Sequence, residues 1–246
     1  MPNIGGPGQK KMMVMAGVVD SIILYAASVW AGAMKVKLHR DRVIRTQRRM
    51  LLRIAHAYRP VSTNAASVIA GVIPIDLKIE ERAMIRRLVQ TGTNMKEAKV
   101  RARGTAHDTW QQRWQNYGRS AWTKRIIPNI RIWADRSKGE VTYQICQALT
   151  GHGNFGSYLK RIGKWEQVGC LYCDRVDTVE HTVFSCGRWE ALRAEMSETA
   201  GQEVTPENWI GLATRTERDW RGIMGAVEKI MTLKEQDLRR REREAE

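Results

Sequence analysis

Three of the chain's four cysteines stand within the stretch CLYCDRVDTVEHTVFSC, with one histidine between the second and third. Their spacing, Cys170-x2-Cys173-x7-His181-x4-Cys186, offers three thiolates and an imidazole, a ligand set suited to tetrahedral Zn2+. A C-x2-C turn brings two sulfurs to one ion, and a fourth protein ligand leaves no position for water or substrate. The Zn2+ expected here is therefore structural rather than catalytic. So short a segment holds too few apolar side chains to order itself, so its metal-binding free energy becomes folding free energy. A small zinc knuckle is expected over residues 166–190. Clustered cysteines do not match the evenly paired framework of a small secreted domain, which favours a reducing compartment, nuclear or cytoplasmic. The remaining Cys146 reads as a buried free thiol.

The knuckle must attach to something, and charge indicates what that something binds. The chain has 246 residues with 41 Lys plus Arg against 26 Asp plus Glu, a net charge of +15 and a pI near 10.0. That excess favours a polyanionic partner, nucleic acid before membrane. It is unevenly placed: residues 1–186 carry 30 basic and 13 acidic side chains, residues 187–246 carry 11 and 13. The knuckle itself holds Asp174, Asp177 and Glu180 against Arg175, so its expected role is to anchor flanking basic elements rather than to be the main phosphate contact. Residues 12–34 form an apolar stretch near bilayer-spanning length. Asp20 in its middle would cost about 2.5–3.5 kcal/mol on insertion, so a buried helix is expected there and no membrane partner.

Helical periodicity dominates the remainder, and the fold class expected is mainly α. Residues 1–10, rich in Gly and Pro, read as a loop. From Lys35 to Arg59 nine basic residues and one acidic accompany an apolar series Leu38, Val43, Ile44, Leu51 and Ile54, giving an amphipathic helix with a cationic face. Arg42, Arg45, Arg48, Arg49 and Arg53 are its candidate nucleic-acid contacts. Ser62 or Thr63 suits the cap of a short helix closed by Gly71 and Pro74, and a further helix is expected from Asp76 to about Gly92. Residues 93–106 read as a mobile basic connector. Beyond it, Trp110, Trp114, Trp122 and Trp133 alternate with Arg113, Arg119, Lys124, Arg125, Arg131 and Arg136. Such a pattern suits stacking on unpaired bases with phosphate contact, and core packing equally requires Trp110 and Trp114 on one face. Core is the reading preferred for the tryptophans; Arg113, Arg119, Lys124 and Arg125 remain candidate phosphate contacts. A short helix is expected over Val141–Leu149. His152, between two glycines, reads as a structural loop residue because no nearby group would orient it for catalysis. The carboxyl-terminal QDLRRREREAE reads as a solvated, frayed helix end.

Taken in order, MPNIGGPGQKK, SIILYAASVWAGA, VIRTQRRMLLRIAHAYRPVSTNAASVIAGVIPIDL, GEVTYQICQALTGHGNFGSYLKR and the cysteine-histidine cluster through Trp189 resemble the carboxyl-terminal part of reverse transcriptases. The group resembled is the Jockey-related, rDNA-inserting type-1 non-LTR retrotransposons, over about residues 1–190. The chain is expected to divide into four segments, the first three by this resemblance and the last by its mixed charge. Residues 1–60 would be helical and thumb-like, closing the reverse transcriptase domain. Residues 61–165 would be a basic, Trp-rich post-polymerase region, residues 166–190 the zinc knuckle, and residues 191–246 a charged helical tail. The resemblance also implies nucleic acid and the rest of the polyprotein as partners, with template-primer or target grip during target-primed reverse transcription. Mg2+ would belong to the parent polymerase and not to this segment. Polymerases of the class hold two metal ions with paired aspartates, and this sequence has no adjacent Asp pair. It reads as a fragment from downstream of the catalytic palm, with Met1 internal. A standalone nucleic-acid-binding knuckle protein and an endonuclease region are the alternatives. Against the nuclease, Pro128-Asn129 has an amide where a metal-binding acid would be needed; separately, Pro60 stands where the family would have Thr, a departure that bears only on local turn geometry.

Overall fold

Helix punctuation largely sets the element order in the computed structural model, which describes residues 7–244. Most of the loop expected over residues 1–10 lies outside these residues; Gln9 already opens α1, Gln9–Ile23. The apolar stretch is not the single buried helix expected. It breaks at Ala26, whose φ is +49°, into α1 and α2 (Ala27–Trp30) with a 3-10 turn, Ala31–Lys35, the two parts bent by 54°. Only Gln9, Met12 and Ala16 of α1 are buried, whereas Val14, Val18 and Ile22 are 71%, 59% and 72% exposed. The reason is the polar group noted in the sequence: Asp20 pairs with Lys78, which fixes α1 by one edge and turns its apolar face outward. No single helix among the described residues is long and apolar enough to cross a membrane.

The cationic helix is α3, Lys37–Ile54, seated by Gln47, Leu51 and Ile54. Gln47 is buried because it satisfies two backbone groups at once. Its Nε2 donates to the Ile73 carbonyl (3.0 Å) and its Oε1 accepts from Ile75 N–H (2.8 Å), tying α3 to the turn before α5. The short helix is α4, Thr63–Ala70, where Ser62 Oγ accepts from Ala65 N–H at 3.1 Å and Gly71 closes the end in the left-handed region. Then comes α5, Ile75–Gln90, with Asp76 in its first turn.

The connector expected over residues 93–106 is instead the body of the longest helix, α6, Met95–Gln115. Asn94 caps it, and Ala98, Ala102, Ala106, Trp110 and Trp114 recur every four residues, all buried. Small side chains on that stripe let α6 lie close along α5; its density of Lys and Arg concealed the period, since long basic side chains suit a solvated helix face as well as a loop.

Next follow α7 (Ala121–Ile126), α8 (Ile130–Ala134), α9 (Tyr143–Thr150) and α10 (Gly156–Arg161). Helix α9 matches the expected Val141–Leu149 segment, with Thr142 Oγ1 accepting from Ile145 N–H at 3.3 Å and Gly151 (φ +69°) as its left-handed end. Cys146 is buried within it as a free thiol, and burial pushes its pKa well up. The chain ends in α11 (Glu190–Ala200), α12 (Trp209–Ala213), α13 (Glu217–Asp219), a π turn over Trp220–Met224 and α14 (Gly225–Glu244). There is no strand among the described residues, only one antiparallel bridge, Gly169 to Val176.

One apolar cluster runs through most of these elements, from Met12 to Met231. Trp110, Trp114 and Trp133 lie in it, as the core reading of the tryptophans required, with Trp122 packed against its edge. Three of the four indole N–H groups are satisfied internally: Trp114 by Ile127 O (2.9 Å), Trp133 by Ile69 O (3.1 Å) and Trp122 by Ala148 O (2.7 Å). Residues 191–244 are more than a charged tail. Met196, Trp209, Ile223, Val227 and Met231 belong to the same cluster, and α14 stays helical through Glu244 where fraying was expected. Most of the charge in this region lies on the outer face, with Lys234 and Asp219 the buried exceptions, which a residue count along the sequence does not reveal.

Candidate metal centre and nucleic-acid interface

The cysteine-histidine segment is built from two small devices. A hairpin closes with Cys170 N–H to Arg175 O and Asp177 N–H to Val168 O, both 2.8 Å, and its tip carries Cys170 and Cys173. A π turn, His181–Ser185, then brings Cys186 back, with its N–H on the His181 carbonyl at 2.7 Å. One ligand atom from each of Cys170, Cys173, His181 and Cys186 lies within 4.8 Å of the other three. Two thiolates sharing a tetrahedral ion at about 2.3 Å stand about 3.8 Å apart. Cys170 Sγ and Cys186 Sγ are separated by 3.9 Å. His181 Nε2 faces Cys173 Sγ at 3.2 Å, while His181 Nδ1 is buried without a hydrogen-bond partner among the described residues. All the cysteines are free, so no disulfide competes for the sulfurs. This group could hold a metal ion. Burial raises the Cys170 thiol to about 11 and holds the His181 imidazole below its ordinary value. Both shifts favour uncharged groups, and a bound cation would favour the thiolate and the neutral imidazole that ligate.

The module is welded to the fold by contacts that sequence reasoning missed. Asp177, read there only as a local acid, is buried and accepts from Gly156 N–H (2.8 Å) and Thr182 Oγ1 (2.8 Å). Its ionic partner is Lys234 of α14, which also donates to Thr182 Oγ1 at 2.9 Å; the two side chains are 1% and 2% exposed. Gly156 must be glycine, because a Cβ there would meet the Val168 carbonyl oxygen at 2.9 Å. Farther along α14, Asp237 accepts from Tyr172 Oη (2.7 Å) and Arg241 donates to the Leu171 carbonyl (2.6 Å). Cys186 packs with Trp189, Leu192 and Ile230. Nothing local in the sequence marks Lys234, since it lies far along the chain within a charged helix.

The candidate phosphate contacts divide sharply. On α3, Arg42, Arg45, Arg49 and Arg53 recur at three- and four-residue intervals along one exposed face, and none forms a salt bridge or side-chain hydrogen bond among the described residues. They span about 16 Å of helix. Arg48, beside them, is half-buried: it donates to Thr63 Oγ1 (3.0 Å) and the Arg59 carbonyl (2.6 Å), and burial lowers its pKa.

Five of the six cations between the tryptophans are occupied internally. Arg113 grips both oxygens of Asp76 (3.1 and 2.9 Å), and Lys124 caps α6 through the Tyr117 carbonyl (2.6 Å). Arg125 bridges Glu180 of the knuckle (2.7 Å) and Glu207 (2.5 Å), and its hydrogen bonds to the two carboxylates raise its pKa. Arg131 pairs with Asp108 at 2.8 Å. Arg136 lies 3.9 Å above the Trp133 ring and donates to its carbonyl at 2.6 Å, with burial lowering its pKa to about 10. Only Arg119 of this series is exposed without such a partner among the described residues. His152 holds a loop, as expected: its Nδ1 lies 3.0 Å from the Thr150 carbonyl and its ring packs on Tyr158.

Comparison with known proteins places this arrangement in company. No family model matches the chain, and no solved structure matches it. It is 26% identical over 198 residues, 74% of its length, to a retrovirus-related Pol polyprotein from type-1 retrotransposable element R1 2 of Nasonia vitripennis, covering 48% of that protein. The corresponding polyprotein of element R1 4 from the same organism is 26% identical over 231 residues, 86% of the chain and 58% of the relative. A putative 115 kDa protein in type-1 retrotransposable element R1DM of Drosophila melanogaster is 26% identical over 235 residues, 87% of the chain and 23% of the relative. The chain spans about half the length of the first two relatives and about a quarter of the third. Over most of its length, then, its homologues are Pol polyproteins of type-1 R1 retrotransposable elements, the group its sequence motifs resemble.

Proposed function

We propose that this chain is a nucleic-acid-holding segment of an R1-like non-LTR retrotransposon Pol polyprotein. It grips the sugar-phosphate backbone of template-primer or target while the bond-making steps of target-primed reverse transcription belong to other parts of the polyprotein. The observation that carries this reading is the stripe of Arg42, Arg45, Arg49 and Arg53 on α3. Guanidinium groups without carboxylate partners among the described residues, on one solvated face, are available to phosphates, and a grip on the backbone requires charge without base reading. The net charge of +15 and the similarity to Pol polyproteins support it.

Zn2+ is the metal proposed for Cys170, Cys173, His181 and Cys186. Three soft thiolates with one imidazole suit it, and four protein ligands would supply cross-linking rather than chemistry. In this reading the knuckle anchors α14, α10 and, through Glu180 and Arg125, the 203–209 segment, and leaves α3 to meet the ligand.

The test is duplex binding measured against salt concentration. Changing all four stripe arginines to Ala is expected to reduce the slope of log affinity on log salt by roughly 3 to 4, because each phosphate contact contributes about 0.9. An unchanged slope would refute the stripe as the grip, and nucleotide incorporation by the isolated chain would refute the division of labour.

A further inference from the structure

Arg119 and Arg48, so different in their contacts, line the same space. An open cleft of ≈ 1010 Å³ lies between the α3–α4 corner, the α6–α7 turn, the α9–α10 loop and the knuckle, and Arg161 of α10 lines it with them. A cleft of that size is at the upper end of those that bury small ligands.

Its charges are unbalanced by construction. Arg48 is held by neutral acceptors, the Thr63 hydroxyl and the Arg59 carbonyl, so its charge is oriented and not cancelled. Arg119 has no side-chain partner among the described residues. Arg161 lies 5.1 Å from the Tyr158 ring centroid and points Nη2 at His152 Nε2, 3.4 Å away. Since His152 Nδ1 stands 3.0 Å from a carbonyl, that nitrogen carries the proton and Nε2 is the acceptor. His152 is thereby a positioning residue for Arg161, and burial, the largest influence on its pKa, holds it below its ordinary value. The one carboxylate on the wall, Glu180, is taken by both guanidinium nitrogens of Arg125 at 2.7 and 3.0 Å. Two partly exposed aromatic rings, Tyr117 and Trp122, complete the lining, and the indole of Trp122 is fixed by its bond to Ala148 O.

We propose that this cleft binds an unpaired stretch of a polynucleotide, with phosphates on Arg48, Arg119 and Arg161 and a base against Tyr117 or Trp122. The proposal rests on the nucleic-acid reading above and assigns it a second, distinct surface. A concave site with oriented cations and aromatic walls fits a single strand, whose bases have free π faces and whose backbone can bend into it. A duplex presents its phosphates on a rigid convex surface and suits the linear stripe of α3 instead. Arg48 lies three residues from Arg45 on the same helix, so the two surfaces meet where a duplex could pass into a single strand.

Fluorescence anisotropy on the full chain tests this with a labelled single strand of about 15 nucleotides and a duplex of equal length. Arg119→Ala with Arg161→Ala is expected to weaken single-strand binding about tenfold or more and duplex binding no more than about twofold. Arg119→Ala alone, which removes an exposed side chain with no hydrogen bond or ion pair among the described residues, is expected to weaken the single strand severalfold with an unchanged melting temperature. Equal weakening of both ligands, or no effect on the single strand, would overturn the cleft while leaving the stripe intact. Absence of binding to either ligand by the unaltered chain would overturn both.

Discussion

Lys234→Ala tests whether the knuckle is fastened to the body of the protein through its buried ion pair. The Lys234 ammonium and Asp177 carboxylate are 2% and 1% exposed, so removing the cation strands a carboxylate out of reach of water. Two donors remain to it, Gly156 N–H and the Thr182 hydroxyl, which soften the loss without replacing a charge. Breaking a buried pair from one side costs about 3–5 kcal/mol, and here the placement of the Lys234 ammonium 4.7 Å from the Phe155 ring centroid is lost as well. For a chain of this size 1 kcal/mol corresponds to about 2–4 °C, so a fall in Tm of about 6–20 °C is expected. The exposed pair Arg131–Asp108 is the control: Arg131→Ala should cost no more than about 1 kcal/mol. Replacing both members, Asp177→Asn with Lys234→Met, should recover part of the loss, since no charge is then left buried. Thermal unfolding followed by Trp fluorescence reads all three. A Lys234→Ala protein melting with the Arg131→Ala control would show that the pair does not bear on stability and that the burial argument is wrong.

Elemental analysis of the purified chain is expected to find about one zinc, and Cys173→Ala or His181→Ala to lose it with a lower Tm; a metal-free protein of unchanged stability would remove the site. Trp133→Ala should cost about 3–5 kcal/mol, because the indole is 0% exposed and its N–H bond to Ile69 O is lost too; a loss below about 1 kcal/mol in urea unfolding would contradict its place in the core. His107 and His152 are held below their ordinary 6.5, first of all because burial penalises the imidazolium. The unfolded chain therefore takes up protons that the folded chain resists. Their contribution to stability should be complete above about pH 6.5 and decline as pH falls below it, by at most about 1.4 kcal/mol per group per pH unit. A Tm that rises between pH 6.5 and 5.5 would have the wrong sign.

Elements whose cause is local were legible without the structure. The Ser62 cap, the Gly71 and Gly151 ends, the α3 and α5 periods and the bringing together of Cys170, Cys173, His181 and Cys186 follow from residues a few positions apart, where backbone geometry alone decides. The α6 stripe was also present, as Ala98, Ala102 and Ala106 leading to Trp110, and was hidden only by the basic residues around it.

Whether an arginine faces solvent is a different kind of question. Arg45 and Arg113 look alike in composition, yet the first has no side-chain partner among the described residues and the second is spent on Asp76, because α5 and α6 lie side by side in the fold. Likewise Lys234 finds Asp177 across 57 positions, and Arg48, Arg119 and Arg161 meet in one cleft. A helical, strongly cationic chain with a four-ligand cluster could be read from residue order alone, since spacing and charge are properties of neighbours. Which cations remain for a ligand follows from the packing of distant helices, because that packing sets which carboxylates and carbonyls come within hydrogen-bond reach.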